Sequence, residues 1–425
     1  MIDTIFALSS GAPPAAIAVM RVSGPQAAAA MFALLGRSAV PRHATSAALR
    51  DAAGGTIDQA LVLWLPAPHS ATGEDTLELH CHGGRAVIGA VEAALAALPG
   101  LRAAMPGEFT RRAFVNGKID LAEAEGLADL LTAETELQRQ SAMAMASGAF
   151  SHQVAQWRDT LLRQSAALEA VLDFGDEDDV ALLPADFVTQ LAELEAELTL
   201  WLARPRAEQL REGYRVVVAG PPNAGKSTLF NTLVEAEAAI ATPIPGTTRD
   251  VLTRPVAYAG VPFLFADTAG LHDAVDDEVE AIGIERALEA LDRADLVLWL
   301  GPQGAGPDGA WEVAAQIDRN DALAKSTARH RISAKTGAGI AALRDDLIAT
   351  ARAALPGPGE AALNERQHTH LRHAQRALGA ARHEHDSLLI AEALRLARVA
   401  FDALLGRTTT EDMLDTLFGR FCIGK

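Results

Sequence analysis

Hydrophobic and polar positions divide the chain into stretches of different period. From about residue 2 to 118, short apolar runs at 17–22, 61–65 and 76–80 alternate with Gly/Pro turns and one Ala/Leu-rich stretch at 86–98. That pattern predicts strands and helix in a small α+β unit. From 119 to 174 proline is absent, and Leu121, Leu127, Leu130, Leu131, Leu161, Leu162, Leu168 and Leu172 recur among Ala, Glu and Gln. Long helix in more than one piece is expected there. An acidic loop at 173–186 leads into further helix that stops near Arg204-Pro205. From 213 to about 355, β-type runs at 215–219, 263–266, 296–300 and 330–333 alternate with helical stretches, the grammar of a βα-wound parallel sheet. Pro356-Gly357-Pro358-Gly359 reads as a linker, and helix resumes at 363–405 and 411–418. Helix on both sides of the βα block predicts its insertion into a helical domain. The expected divisions are 1–118, 119–210, 211–355 and 356–425.

Composition narrows the class. With 49% hydrophobic and 22% charged residues, the 425-residue chain has apolar material for several cores and too much for a disordered protein. A net charge of −18 excludes the uniformly basic surface of a duplex-wrapping protein and leaves only a local basic patch for RNA. No apolar run approaches the roughly 20 residues that span a bilayer. Met1-Ile2-Asp3-Thr4 lacks the basic start of a signal peptide, so a soluble cytoplasmic protein is expected. Cys81 and Cys422 are the only cysteines, too few for a disulfide scaffold.

Gly220-Pro221-Pro222-Asn223-Ala224-Gly225-Lys226-Ser227 matches G-x-x-x-x-G-K-[ST] between an apolar run and a helical stretch, the context this motif requires. Amides from Asn223, Ala224 and Gly225 through Thr228 curl around phosphate oxygens, Lys226 reaches the β/γ-phosphates and Ser227 ligates Mg²⁺. Gly246-Thr247-Thr248-Arg249-Asp250 and Asp267-Thr268-Ala269-Gly270 follow in the order of GTPase switch elements. Thr248 completes the Mg²⁺ shell, Asp267 holds the metal through water, and the Gly270 amide senses the γ-phosphate. The base-reading pattern Asn-Lys-x-Asp falters. Its best match is Asp318-Arg319-Asn320-Asp321, where Asp321 is the reading carboxylate and Arg319 stacks as a lysine stem would. Asp318 sets lone pair against lone pair at guanine N7, leaving a loop brace, a lowered guanine affinity or an ordinary surface loop as its readings. Ser333-Ala334-Lys335 matches the final guanine-loop motif and favours GTP over ATP. Leu271 occupies the position where Ras-like enzymes carry a water-orienting Gln, so the acidic segment 273–280 is expected to handle the water. No arginine finger is positioned by sequence, leaving charge neutralisation to Mg²⁺, Lys226 and a further cation.

Together with Val279-Glu280-Ala281-Ile282-Gly283-Ile284-Glu285-Arg286, Arg21-Val22-Ser23-Gly24, Gly73-Glu74-Asp75, the segment 107–118 beginning Gly107-Glu108-Phe109-Thr110, and the terminal Phe421-Cys422-Ile423-Gly424-Lys425, these motifs resemble the MnmE (TrmE) family of tRNA wobble-uridine modification GTPases over essentially the whole chain. The resemblance implies an N-terminal α+β folate-binding domain that forms a homodimer, a helical domain, and an inserted Ras-like P-loop G domain. It implies a K⁺ ion in roughly the place of an arginine finger, held by Asn223, Thr242, Ile244 and Thr247, with G domains dimerising across the nucleotides. It assigns water orientation to Glu280. For a tetrahydrofolate derivative, 5,10-methylene- or 5-formyl-, it points to Arg21, Glu78, Lys118 and Lys425, with Cys422 a candidate reactive thiol. A flavin-dependent MnmG (GidA)-type partner completes a heterotetramer. The family's reaction places an aminomethyl or carboxymethylaminomethyl group on C5 of the tRNA wobble uridine, one carbon coming from folate.

Two rival readings are weaker. A ribosome-assembly GTPase shares Thr-Thr-Arg-Asp but carries a Gly-x-x-Gly RNA module or a second G domain, and neither is present in this sequence. A non-catalytic nucleotide switch conflicts with the intact Lys226, Ser227, Thr248, Asp267 and Gly270. His80 and His82 share one strand face without a placeable third metal ligand, and His368, His370, His373, His383 and His385 read as a solvated helix face.

Overall fold

Alternation along one strand sends Ala18, Met20 and Val22 into a core and leaves Val19 and Arg21 on the opposite side. The computed structural model describes residues 3–174, 183–235, 252–267, 288–320, 322–408, 411–419 and 421–424. It divides into two units, Met1–Ala128 with Phe401–Lys425, and Asp129–Ala400. The first unit therefore takes in the last 25 residues, and the second groups most of the helical sequence with the βα block.

In the first unit β1 (Thr4–Leu8), β2 (Ala15–Ser23), β3 (Thr45–Arg50), β4 (Thr56–Leu65), β5 (Thr76–Gly83) and β6 (Leu101–Ala103) form a sheet of order β3-β4-β5-β2-β1-β6. Only β1 and β6 pair in parallel. The helices Ala27–Leu35 and Arg85–Ala96 contribute Met31, Leu34, Val91 and Leu95 to the core that holds Val62, Leu77, Leu79 and Cys81. A separate small cluster joins Ile5 and Ala7 to Phe109 of the helix Glu108–Val115. The helix Glu411–Phe418 packs Leu414 and Phe418 with Leu121, Ala124 and Phe421.

The second unit contains β7 (Tyr214–Ala219), β8 (Leu252–Tyr258), β9 (Val261–Asp267), β10 (Leu296–Trp299), β11 (Trp311–Ala314) and β12 (His330–Arg331), in the order β12-β11-β10-β7-β9-β8. All pairs are parallel except β8 with β9, the arrangement of a P-loop GTPase domain. Two of these strands are absent from the pattern of apolar runs. β8 contains Pro255, which lacks a ladder donor and is tolerated because β8 is an edge, and β11 is only four residues long.

Helical sequence is cut where local capping competes with continuation. The proline-free stretch becomes Leu121–Thr132, Glu136–Ala146 and Ala149–Phe174; the second of these starts at a reciprocal Thr135–Gln138 capping box. The helix Phe187–Leu202 follows, and the expected single helix after the linker is two, Glu365–His383 and Ser387–Leu404. Ala361, Ala362 and Leu363 after the Pro/Gly linker are buried, with the Ala207 amide donating to the Leu363 carbonyl at 3.0 Å. One expectation is corrected here. His368 does not lie on a solvated face: it is 5% exposed, with Nε2 3.3 Å from the Leu202 carbonyl, because it occupies the inward stripe with Leu371, Ala374 and Leu378. Burial holds its imidazole below the ordinary value. His385 lies beyond the helix end. No helix among the described residues is long and apolar enough to cross a membrane.

One buried guanidinium draws three distant segments together. The Arg112 side chain is 0% exposed and donates from Nη1 to the Asp3 carbonyl and Glu74 Oε2, both at 3.0 Å, and from Nη2 to Asp3 Oδ1 at 3.0 Å and Glu108 Oε1 at 3.2 Å. Arg102 supports the same carboxylates, with Nε 2.6 Å from Asp3 Oδ2 and Nη1 2.8 Å from Glu108 Oε2. Ser23 Oγ donates to Glu74 Oε2 at 2.8 Å. Burial pushes the Glu108 carboxyl up, but hydrogen bonds from Arg102 and the Met105 amide outweigh it and hold the group below its ordinary value; Asp3 is held down in the same way, mainly by Arg102. Arg112→Met leaves these carboxylates without their central counter-charge and is expected to destabilise the first unit by about 3–5 kcal/mol in urea unfolding. Because both carboxyls titrate below their ordinary values when folded, their contribution is complete above pH 4.5 and is lost as pH falls through the lowered folded values. The parent protein should therefore show an acid-side loss of stability that Arg112→Met reduces.

Candidate functional site

The nucleotide-binding loop leaves β7 at the point where the sheet order reverses, with β9 on one side and β10 on the other. Asn223 has φ 63° and Gly225 φ 90°, so the chain turns through two left-handed residues before the helix Lys226–Glu235 begins. The positive φ of Gly225 favours glycine, and a Cβ there would lie 3.0 Å from Gln316 Nε2, so a larger residue would also displace that side chain. Lys226 is 5% exposed, and its Nζ donates to the Pro221 carbonyl at 3.0 Å, which holds the ammonium inside the loop. Ser227 and Thr228 are exposed at the helix start, and Ala224 is half-buried. Asp267 ends β9 beside Val218, 2% exposed, which places its carboxylate next to the strand that feeds the loop.

A cleft of about 430 Å³ opens beside this loop, lined by Gly225, Thr228, Gln316, Asp318, Arg319 and Lys335, with Ala334 also in its wall. Ser333 follows β12 and is fully buried; its Oγ donates to Asp318 Oδ1 at 2.6 Å and accepts from the Thr336 amide at 3.2 Å. Asp318 thus acts as a loop brace. The Ser333 hydroxyl, then the residue's own backbone amide, and after them the charges of Lys335 and Arg319 hold the Asp318 carboxyl below the ordinary value, so it is ionised at neutral pH. The structure also shows two residues that sequence reading missed. Gln316, at φ 56°, donates from Nε2 to the Asn223 carbonyl at 3.1 Å and ties the two loops together. The only signal for it is its position at the end of an apolar run, two residues before Asp318. Lys325, with its side chain 0% exposed, donates to the Trp299 carbonyl and to Glu312 Oε2, both at 2.7 Å, bracing the loop after β10. No sequence signal marks it.

In the first unit Arg21 and Glu78 are brought together as direct partners across β2 and β5, with Arg21 Nε 3.0 Å from Glu78 Oε1 and the guanidinium 5.7 Å from the Phe109 ring centroid. His80 Nε2 is 3.4 Å from Glu78 Oε2, and His82 pairs with Asp58. Lys118 is exposed and donates to the Pro68 carbonyl at 3.2 Å. The terminal motif is docked rather than loose. Ser9 Oγ donates to the Gly424 carbonyl at 2.8 Å, Ile423 bridges to Pro106, and the Gly107 amide is 3.4 Å from the Cys422 carbonyl. A Cβ on Gly424, at φ 95°, would lie 2.0 Å from the Leu8 carbonyl oxygen, so no other residue fits. The backbone of Cys422 is therefore fixed while its side chain is exposed. Thr242, Ile244, Thr247, Thr248, Thr268, Ala269, Gly270, Glu280, Asp321 and Lys425 lie outside the described residues.

Residues 4–118 match the family model described as the GTP-binding protein TrmE N-terminus, and residues 121–422 match that of the MnmE helical domain. The chain is 63% identical to the tRNA modification GTPase MnmE of Novosphingobium aromaticivorans and 61% identical to the protein of that name from Erythrobacter litoralis, each over 100% of both chains. Among solved structures, Aquifex aeolicus Era bound to GDP and AlF4⁻ is 24% identical over 39% of this chain and 66% of that one, with a TM-score of 0.23.

Two measurements probe these arrangements. Asp318→Asn keeps an oxygen for Ser333 and adds an N–H donor toward the cleft, so guanine-nucleotide affinity should rise about tenfold, whereas Asp318→Ala, which loses the brace, should lower it. Competition titration with GDP and ADP reads both effects, and equal affinities in the two variants would remove the brace. Burial pushes the Cys81 thiol up to about 12, so it should not react at neutral pH. A maleimide titration should count one thiol, Cys422, in the native protein and two after unfolding.

Proposed function

The chain belongs to the MnmE family of tRNA modification GTPases, and from that premise we propose that GTP turnover at the β7 loop drives C5 modification of a tRNA wobble uridine. The observation that carries this reading is the shared wall of two recognition elements: Gln316 of the base cleft hydrogen-bonds to the Asn223 carbonyl of the phosphate loop and lines the cleft together with Gly225, so triphosphate and base sites form one continuous surface.

Lys226 exchanges the Pro221 carbonyl for β/γ-phosphate oxygens as GTP arrives, so the ammonium is already buried and aimed when charge develops. Amides from Asn223 to Thr228 meet the phosphates at a helix N-terminus. The Ser227 hydroxyl and the Asp267 carboxylate, on neighbouring elements, are hard oxygen donors that fit Mg²⁺, with Thr248 completing the set. When bound, that ion neutralises charge on the β/γ oxygens. Asp318 orders the loop through Ser333 and leaves base recognition to Asp321, Ala334 and Lys335.

Glu280 orients the attacking water, a task Leu271 cannot perform. Asn223, Thr242, Ile244 and Thr247 would hold a K⁺ ion, which would supply the positive charge of an arginine finger, with two G domains meeting across their nucleotides during turnover. Asn223 is exposed at a left-handed turn, which suits a side chain offered to an ion. In the N-terminal part, Glu78 flanked by Arg21 suits the donor and acceptor edges of a pterin, and Lys118 with Lys425 suits a folate glutamate tail. The one-carbon unit passes to the uridine with a flavin-dependent partner of the MnmG type, joined to a homodimer of this chain, and Cys422 is offered to solvent beside the docked tail.

The test is steady-state hydrolysis of GTP and ATP in KCl and in NaCl at matched ionic strength. GTP-selective turnover stimulated by K⁺ is expected, and Lys226→Ala should lower kcat by about 10²–10³-fold. Equal slow rates in both salts overturn the cation mechanism, and loss of GTP preference overturns the base-cleft reading.

A further inference from the structure

The helix Glu365–His383 carries a surface out of keeping with the rest of the chain. Gln367, His368, Leu371, Ala374, Leu378 and Ala381 form its buried stripe. On the other side Arg372, His373, Arg376 and His383 are all exposed. At 100° per residue these four positions fall within about one third of the helix circumference, and Arg372 to His383 runs about 16 Å along the axis. Nowhere on this face between Arg372 and His383 does a carboxylate appear in the sequence.

Adjacency of like charges, rather than the lack of a partner, sets this face apart. Some helical arginines have a carboxylate within reach, Arg139 with Glu136, Arg395 with Glu392 and the half-buried Arg382 with Glu195, whereas the exposed Arg85, Arg163, Arg352 and Arg398 have none among the described residues. Arg372 and Arg376 form no ion pair with any described residue, although the chain has 55 acidic side chains to draw on. They also stand at i and i+4, where like charges cost an isolated helix roughly 0.2–0.5 kcal/mol. Two unpaired guanidinium groups kept adjacent on a protein of net charge −18 are organised for an external anion with repeated charge.

We propose that the outer face of the helix Glu365–His383, centred on Arg372 and Arg376, binds the ribose–phosphate backbone of the tRNA substrate; this rests on the reading of the chain as a tRNA-modifying enzyme. The arginines meet successive phosphates, and His373 and His383 offer ring N–H donors to phosphate or 2′-hydroxyl oxygens. The face holds no Phe, Tyr or Trp, and its charges address phosphates, so it positions the RNA chiefly through the backbone. The small, exposed Ala380 between Arg376 and His383 leaves room for a backbone to approach.

The full-length protein, its Arg372→Gln/Arg376→Gln double variant and an Arg372→Lys/Arg376→Lys double variant are titrated with an unmodified tRNA transcript from 50 to 300 mM KCl, with melting temperature as the control for folding. The glutamine variant is expected to bind about tenfold more weakly at the low-salt end and to lose about 1.5–2 from the slope of log K against log salt. The lysine variant should restore both, since a phosphate contact needs charge rather than a planar fork. Arg395→Gln, on the neighbouring helix, should change neither. Parent-like affinity and slope in the glutamine variant overturn the proposal and leave the stripe to an acidic protein surface, and an equal loss from Arg395→Gln overturns it in favour of net charge alone. Absence of tRNA binding by the parent protein overturns the tRNA-modification reading together with the stripe.

Discussion

The nucleotide site depends on the parallel pairing of β7 between β9 and β10. Val216 and Val218 are completely buried in that position, packed with Phe263, Phe265 and Leu298, and each such side chain contributes roughly 1.5–3 kcal/mol of burial. Because all three strands run in one direction, their carboxyl ends emerge together. The phosphate loop, Asp267 and the loop before β11 therefore share one edge of the sheet. Antiparallel pairing of any of them would send its loop to the opposite edge. The Gln316 to Asn223 hydrogen bond and the close approach at Gly225 exist only because the strand order has already brought β11 and β7 to the same side.

The first unit is organised around the desolvated guanidinium of Arg112. A buried charge of this kind is tolerable only when carboxylates and carbonyls surround it, and Asp3, Glu74 and Glu108 arrive from the chain start, the loop before β5 and the arginine's own helix. The motifs around Ser23, Glu74 and Arg112 therefore serve first as a structural joint. The Arg21–Glu78 pair sits on the strands that this joint holds in register, and the terminal residues close against Ser9 and Pro106 in the same unit. Among these terminal residues the close approach to the Leu8 carbonyl accounts for Gly424.

Much of the architecture was legible in the residues themselves. The period-two runs marked β2, β5, β7, β9 and β10, because alternating or continuous apolar strands leave a signal in any short window. The phosphate loop was equally plain, since its turn needs Gly225 and its chemistry needs Lys226 at a set spacing. β8 and β11 were not legible. A strand that holds Pro255 is acceptable only at an edge, and a four-residue strand gains its stability from its neighbours. His368 looked like its neighbours in a polar helix until the packing partner at Leu202 selected which stripe faced inward.

Asp318 marks most sharply the division between what local sequence encodes and what folding supplies. Residue types and spacing by themselves marked the phosphate-binding loop and the segments of its family, because those signals depend on local backbone conformation and on chemistry at adjacent positions. A carboxylate at the first base-motif position left a loop brace, a lowered guanine affinity and a plain surface loop all open, since sequence could not show where it pointed. Only the tertiary structure decided that Asp318 turns to the Ser333 hydroxyl 15 residues later, that Gln316 joins two loops and that Arg112 is buried among three carboxylates. Each of these depends on which distant groups lose water together, and desolvation is a property of the assembled core rather than of any stretch of sequence.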